Sequence, residues 1–325
     1  MGLVLAGALT SAAADSKPTV PAIDLAKIWA GGEPTTLAEL KAMDQHQRQL
    51  VEKLTACTVG IVIGPAHGSG VIITQDGYVL TAAHVAGEPR RKATFVLPDG
   101  RQVKGESCGL YRTMDAGLMK ITDPGPWPFA PMAKADDVRV GQWCVATGHP
   151  GGFEKGRNPV VRMGRVIVKD KLSITTDCTL VGGDSGGPLF DMDGHVIGIN
   201  SRIGRFLTAN MHVPIAAYHE AWDRLVKYEA WGHMPGTGPF LGVVGDQGSD
   251  VAKIASVRED SPAKKAGLEP GDVIVKFGGK PVQDFTALQT FVGDSQPGDK
   301  VALEVLRGDK TLTLNVVIGE RREQK

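Results

Sequence analysis

The chain has 325 residues, 42% of them hydrophobic and 22% charged, which describes a folded protein with room for two domains. Lys+Arg and Asp+Glu both number 36, so no basic surplus marks nucleic acid as a partner. Gly (42) and Pro (20) are frequent, and that many turns favours short strands over long helices.

The opening stretch, MGLVLAGALTSAAADSKP, holds an apolar run from Gly2 to Leu9 and a cleavage-type Ala12-Ala13-Ala14. It predicts residues 1–14 as the remnant of a secretory signal peptide, although no Lys or Arg precedes the run. The run is too short to cross a membrane. Residues 15–55 form an N-terminal segment, irregular at first. Thr36-Leu37-Ala38-Glu39 then fits a capping box, in which a hydroxyl and a carboxylate satisfy free amides at a helix start. Leu37, Leu40, Met43, Leu50, Val51 and Leu54 follow mostly at helical spacing.

From residue 56 the texture changes. CTVGIVIG, GSGVIIT, GYVLTAA, ATFVLP and RQVKGE are short runs rich in β-branched residues. Asp76-Gly77, Asp99-Gly100 and Asp193-Gly194 lie between runs, and Asp-Gly supplies the positive φ of tight hairpins. Residues 56–232 therefore read as a β-sandwich or barrel domain, closed by a helix with Tyr218, Trp222, Leu225 and Val226 on one face. WGHMPGTGPF (Trp231 to Phe240) is a linker, and residues 233–325 hold it and a smaller α+β domain. That domain is expected to have helices near Pro262–Gly267 and Asp284–Val292, and a last hairpin turning at Gly308-Asp309.

Cys57, Cys108, Cys144 and Cys178 lack the close spacing of a zinc or redox site; two disulfides and four buried thiols both fit. His46, His67, His149, His195, His212, His219 and His233 show no metal spacing and read as surface or satisfied core residues.

GGDSGGP (Gly182 to Pro188) raises the chemistry. Glycines with Asp and Ser are often plain turns. The stretch also fits Gly-x-Ser-x-Gly, the nucleophile elbow of α/β-hydrolases, and the nucleophile loop of trypsin-like peptidases. A serine hydroxyl needs a base, and the base an orienting carboxylate. His84, in LTAAHV, lies upstream of Ser185. That order opposes the α/β-hydrolase reading, as does the strand–hairpin–strand pattern after Ser185. The acid then lies between them: Asp99, Asp115, Asp123, Asp136, Asp137, Asp170 or Asp177. Asp115 alone directly precedes an apolar strand, AGLMKI, where a core edge can hold it. The Gly183 and Ser185 amides are the candidate oxyanion donors, and Asp184 is expected to add little beyond its main chain. Thr179 stands six residues before the serine, where trypsin-like pockets often carry Asp, so cleavage after Lys or Arg is not favoured. Leu180, Val181 and Ile203 join it as candidate pocket walls for a small or medium apolar P1 side chain.

SGVIITQDGYVLTAAHV, DAGLMKI, VGQWCVATGHPGG, TTDCTLVGGDSGGPLFDMDGHVIGIN and MHVPI, in that order over residues 56–220, resemble the HtrA (Deg) family of serine proteases. The resemblance implies a mainly β fold, a chymotrypsin-like double β-barrel, with His84, Asp115 and Ser185 as its triad and no cofactor. Two departures stand out: Asp184 where the family usually has Asn, and Ala116-Gly117 after the acid. GPFLGV and SPAKKAGLEPGDVIVKFGGKPV resemble a PDZ domain, with Phe240, Leu241 and Gly242 in the carboxylate loop and Leu288 and Phe291 facing the groove.

The family likeness implies a periplasmic or secreted endopeptidase acting on unfolded or damaged proteins, with C-terminal peptides at the PDZ domain. It implies a homo-oligomer, a trimer assembled through the N-terminal segment, and no membrane role beyond proximity. The alternative is a binding protein or holdase with the protease fold and a latent or inactive site.

Overall fold

The computed structural model describes residues 23–321 apart from 205, 207, 235, 236 and 247. The expected signal-peptide remnant lies outside the described residues. A short helix α1 (Ala26–Trp29) precedes α2 (Leu37–Cys57). The capping box forms: Glu39 donates its amide to Thr36 Oγ1 at 3.1 Å, and Thr36 donates its own to Glu39 Oε2 at 2.9 Å. The helix runs two residues past the expected boundary at 55, directly into the first strand.

Only part of the expected apolar face of α2 is used. Met43, Leu50 and Leu54 are buried, whereas Leu37 and Leu40 are 67% and 50% exposed. Among the described residues nothing covers these two side chains. A fully buried Leu contributes roughly 2 kcal/mol and a cap about 1 kcal/mol, so Leu50 and Leu54 fix where α2 docks. They sit over the Asp193-Gly194 turn, where a Cβ on Gly194 would lie 3.3 Å from Leu50. His46 bonds the Met192 carbonyl at 2.7 Å.

Six strands close a first barrel: β1 (Thr58–Ile63), β2 (Ala66–Ile72), β3 (Tyr78–Ala82), β4 (Lys92–Val96), β5 (Gln102–Tyr111) and β6 (Ala116–Ile121). Around the barrel they run 1-2-3-6-5-4, with β5–β6 and β1–β4 pairs completing the circuit. A one-turn helix α3 (Ala83–Ala86) follows β3. The second barrel repeats this order with β7 (Trp143–Gly148), β8 (Val160–Lys169), β9 (Ile174–Thr176), β10 (Pro188–Phe190), β11 (Val196–Ile203) and β12 (Asn210–Pro214). The Asp-Gly turns sit where expected, between β2 and β3, β4 and β5, and β10 and β11.

Helix α4 (Ile215–Leu225) follows, and β13 (Ala230–Trp231) adds in parallel to β5. One buried cluster joins Leu50 and Leu54 of α2, Leu80 and Leu118 of the first barrel, Phe190 and Ile199 of the second, and Tyr218 and Leu225 of α4. The two helices thus strap the barrels together.

The C-terminal domain comprises β14 (Gly238–Phe240), β15 (Val243–Gly245), β16 (Ile254–Val257), α5 (Pro262–Lys265), β17 (Val273–Phe277), β18 (Lys280–Pro281), α6 (Phe285–Gly293), β19 (Lys300–Arg307), β20 (Lys310–Val317) and β21 (Gly319–Arg321). Both expected helices are there, capped by Ser261 and Asp284. The last hairpin turns at Gly308-Asp309, pairing Arg307 with Lys310. Its core, including Leu241, Ile254, Ile274, Leu288, Leu303 and Val316, draws every buried member from residues 241–318.

All four cysteines are buried thiols. Burial pushes the Cys57 thiol up to about 12 and, with the Glu106 charge adding to it, Cys108 up to about 11. Neither is a thiolate at neutral pH.

Because its core is self-contained, the segment 238–325 expressed alone should melt in one cooperative transition with dispersed amide NMR signals. Collapsed, broad spectra would show that it needs the barrels.

Candidate active site

The register of two neighbouring strands brings His84 and Asp115 together. Ala82, the last residue of β3, pairs with Ala116, the first of β6. His84 therefore emerges beside the residue that leads into β6. Asp115 has left-handed backbone (φ 59) after the short turn Arg112–Met114, a conformation Asp tolerates better than most residues. The His84 amide donates to Asp115 Oδ1 at 3.0 Å, and its Nδ1 lies 3.0 and 2.9 Å from the two carboxylate oxygens. Ser201 Oγ donates to Oδ2 at 2.6 Å. Asp115 is 3% exposed, while the His84 side chain is 40% exposed and open to substrate. With Nδ1 donating to the carboxylate, Nε2 is left as the acceptor.

Ser185 comes from the other barrel, in the loop between β9 and β10. Its Oγ donates to the Ser201 carbonyl at 3.4 Å; among the described residues no hydrogen bond joins it to His84. The loop is bolted to the first barrel by Ser69 of β2. The Ser69 amide donates to the Ser185 carbonyl at 2.8 Å, its Oγ to the Gly183 carbonyl at 2.8 Å, and that Oγ accepts the His149 amide at 2.9 Å. Glycine is required at Gly186, where a Cβ would lie 2.1 Å from Thr81 Oγ1 and 2.2 Å from the Ser69 carbonyl. Among the described residues neither the Gly183 nor the Ser185 amide donates to a protein acceptor. Both remain available to an incoming oxyanion.

Beneath the loop lies a buried polar chain. Asn200 Nδ2 donates to the Thr147 and Asp184 carbonyls at 3.0 and 3.1 Å. Its Oδ1 accepts from His212 Nδ1 at 2.9 Å, and His212 Nε2 accepts from Thr176 Oγ1 at 2.8 Å. The neutral imidazole is fully bonded, and burial depresses its pKa to about 3. His149 departs from the expectation of a satisfied core histidine. Both its ring nitrogens are buried without a partner among the described residues. Burial, assisted by the Arg157 charge, lowers its pKa to about 4. Asp184, expected to matter only through its main chain, is fully buried and ion-paired with Arg162 at 3.0 Å.

A cavity of about 180 Å³ opens beside Ser185, lined by Leu180, Val181, Gly182, Ser201, Arg202 and Ile203. Thr179 is exposed and outside it; one residue along an extended loop reverses the side-chain direction.

In the C-terminal domain a groove of about 260 Å³ is lined by Phe240, Leu241, Gly242, Val243, Phe285, Leu288, Gln289 and Val292, among others. Gly242 has φ +92, and a Cβ there would strike Ser261 at 2.2 Å. Phe291 is not in the groove: it stacks on Phe277 at 6.0 Å between ring centroids. Ser69, Ser201, Asn200 and Arg162 were not among the sequence candidates. Only Ser69 carries a local signal, its place between Gly68 and Gly70, where backbones can approach closely.

The depressed His212 pKa sets a direction. The unfolded imidazole, at its ordinary 6.5, takes up a proton well before the folded one at about 3. Stability is complete above pH 6.5 and falls as the pH drops toward 3, by roughly 3 kcal/mol at pH 4 from this group. Urea unfolding at pH 7 and pH 4 should show a shallower loss for His212→Gln than for the wild type. Equal losses would mean that His212 does not titrate with unfolding.

Residues 68–199 match the family model of a trypsin-like peptidase domain, and residues 239–318 that of a PDZ domain. A Halomonas elongata protein named "Probable periplasmic serine endoprotease DegP-like" is 33% identical over 268 residues, covering 78% of this chain and 56% of its own. An Ectopseudomonas mendocina protein of the same name is 34% identical over 277 residues, covering 79% and 57%. The chain thus spans a little over half the length of these curated relatives. Among solved structures, the HtrA-type protease AlgW with a tripeptide superposes with TM-score 0.57 at 25% identity, covering 85% of this chain and 98% of that one. The serine endoprotease from Yersinia pestis gives 0.56 at 22% identity, covering 89% and 99%, a likeness of fold. With both domains matched in order and the His84, Asp115 and Ser185 motifs in place, the chain is a trypsin-like peptidase domain followed by a PDZ domain, similar across both to HtrA-type proteases.

Proposed function

We propose that this protein is a serine endopeptidase of the periplasm or cell exterior that cleaves unfolded or damaged polypeptides through an acyl-enzyme. The observation that carries the reading is His84 Nδ1 facing both Asp115 oxygens, beside a serine loop whose Gly183 and Ser185 amides are uncommitted. The relatives named as periplasmic serine endoproteases support the compartment and reaction class.

Each residue has its own part in the reaction. Ser185 Oγ turns about its Cα–Cβ bond from the Ser201 carbonyl towards His84. It attacks the scissile carbonyl while His84 Nε2 takes its proton and later passes it to the leaving amine. Asp115 holds the imidazole in the tautomer that leaves Nε2 basic. The Gly183 and Ser185 amides meet the oxyanion, a contribution worth roughly 3 kcal/mol per donor in such sites. Water then hydrolyses the Ser185 ester. Leu180, Val181 and Ile203 form the walls of the P1 pocket, and its apolar lining and small volume favour Val, Ala, Leu or Ile. In the second domain, the loop at Phe240–Gly242 receives a terminal carboxylate, and an incoming peptide adds to the sheet edge. The family likeness supports a homo-oligomer, trimeric, built through the N-terminal segment. Trp29, part of that segment, packs on the core shared by the barrels.

Casein digestion followed by mass spectrometry checks the peptidase reading. Ser185→Ala and His84→Ala should each lose at least about 1,000-fold in rate, with the double variant little worse. Wild-type cuts should fall after Val, Ala, Leu or Ile. Substantial activity in His84→Ala would sink the mechanism, and predominant cuts after Lys or Arg would sink the pocket assignment.

Calorimetry on full-length Ser185→Ala, which cannot consume its ligand, checks the groove. A peptide with a free apolar C-terminus should bind with Kd on the order of micromolar. Amidating that terminus should weaken binding several-fold; equal affinities would mean that the groove does not read a carboxylate.

A further inference from the structure

The nucleophile loop contains a buried charge pair. Asp184 is 0% exposed, and its Oδ2 accepts from both Arg162 Nη2 and the Val181 amide, each at 3.0 Å. Oδ1 has no partner among the described residues and faces the backbone of Gly148, where a Cβ would lie 2.6 Å away. Arg162 reaches in from β8, opposite Ala146 of β7, with its side chain 18% exposed. The neighbouring Arg157 cannot replace it. That guanidinium is committed to the Pro150 and Gly152 carbonyls at 2.6 Å and to Glu154 at 2.9 Å. A buried carboxylate deprived of its cation takes up a proton or turns out to water.

We propose that Arg162 is a positioning residue for the oxyanion hole: its ion pair with Asp184 clamps the Val181–Asp184 turn and so aims the Gly183 amide. The inference rests on the peptidase reading. The turn is tied in both directions, since the Asp184 amide donates to the Val181 carbonyl at 3.1 Å while the Val181 amide donates to the Asp184 carboxylate. Between these ends hangs the Gly182–Gly183 peptide. Its carbonyl accepts from the Gly151 amide at 2.7 Å. A trans peptide directs its N–H opposite to its carbonyl, so gripping one fixes the other. Loss of the clamp leaves the turn to main-chain ties, with Ser69 on the Gly183 carbonyl and Asn200 on the Asp184 carbonyl, and lets one of the two donors swing from its direction. Ser185 and His84 keep their own anchors, Ser69 and Asp115. The defect therefore falls on transition-state stabilisation and spares substrate binding.

The experiment uses the full-length wild type, Ser185→Ala, Arg162→Met, Arg162→Lys and the double variant Arg162→Met/Asp184→Asn. The readouts are fluorophosphonate labelling of Ser185 and steady-state cleavage of a chromogenic peptide with an apolar P1 residue. Arg162→Met should lower kcat about 100-fold, the effect of losing one oxyanion donor, with KM changed less than about threefold. The double variant should recover to within about tenfold of wild type, because the side-chain carbonyl introduced by Asp184→Asn still accepts the Val181 amide without needing a counter-ion. If Arg162→Met does not fold, Arg162→Lys carries the test: it keeps the charge, and an intermediate loss confined to kcat is expected. Wild-type labelling of Arg162→Met, a double variant no better than the single one, or a Lys variant altered only in KM would overturn the inference alone. A wild type that does not label at Ser185 would overturn the peptidase reading and this inference with it.

Discussion

Ser69 is the residue on which the site most depends. Its barrel and its partner are both closed, so each has spent its strand hydrogen bonds internally. What remains to join them is side chains and a few loop groups. Ser69 uses its amide and its hydroxyl on two carbonyls of the serine loop, and the same oxygen receives a third hydrogen bond from His149. Such contact requires near-touching backbones, which explains the small residues on both sides of the seam. A side chain at Gly68 would lie 3.2 Å from the Ser185 carbonyl, and one at Gly186 would lie 2.2 Å from the Ser69 carbonyl.

This seam matters because the chemistry is divided between the barrels. In the proposed mechanism His84 and Asp115 belong to the first, and Ser185 with the Gly183 and Ser185 amides to the second. A small slip of one barrel would leave each half intact and the whole inactive. Ser201 crosses the division, with its hydroxyl on Asp115 and its carbonyl accepting from Ser185. Thr58 and Thr147 bond across it at 2.7 Å, and Tyr218 of α4 donates to the Thr81 carbonyl at 2.7 Å. The apolar cluster beneath supplies the bulk of the adhesion, and these polar contacts set its register.

Much of this was legible in the sequence, where local rules apply. Asp-Gly at three turns, the Thr36–Glu39 box and the order His84, Asp115, Ser185 each express a constraint that neighbouring residues or chain order reveal. Other features have no local signature. Nothing in VVRMGRV distinguishes Arg162 from a solvated arginine, because its partner lies 22 positions on in another loop. The misplacement of Phe291 is geometric. A helix turns about 100° per residue, so Phe285, Gln289 and Val292 share one face of α6. Leu288 lies at its border, and Phe291 points well away, onto Phe277. Leu37 and Leu40 carry the correct spacing but extend beyond the surface that could bury them.

Barrel closure has a further consequence under the proposed function, in which the chain meets denatured polypeptide. Exposed sheet margins are templates on which such material can grow. The twelve barrel strands offer none. In the smaller domain, β18 is two residues long and ends in Pro281, which cannot donate. β20 turns Thr311, Thr313 and Asn315 to its exposed side. Beside the groove, Val243–Gly245 pairs with β16 alone, so its other flank is open. Among the described residues the open edge beside the groove is thus short, a three-residue rung bounded by Gly242 and Gly245.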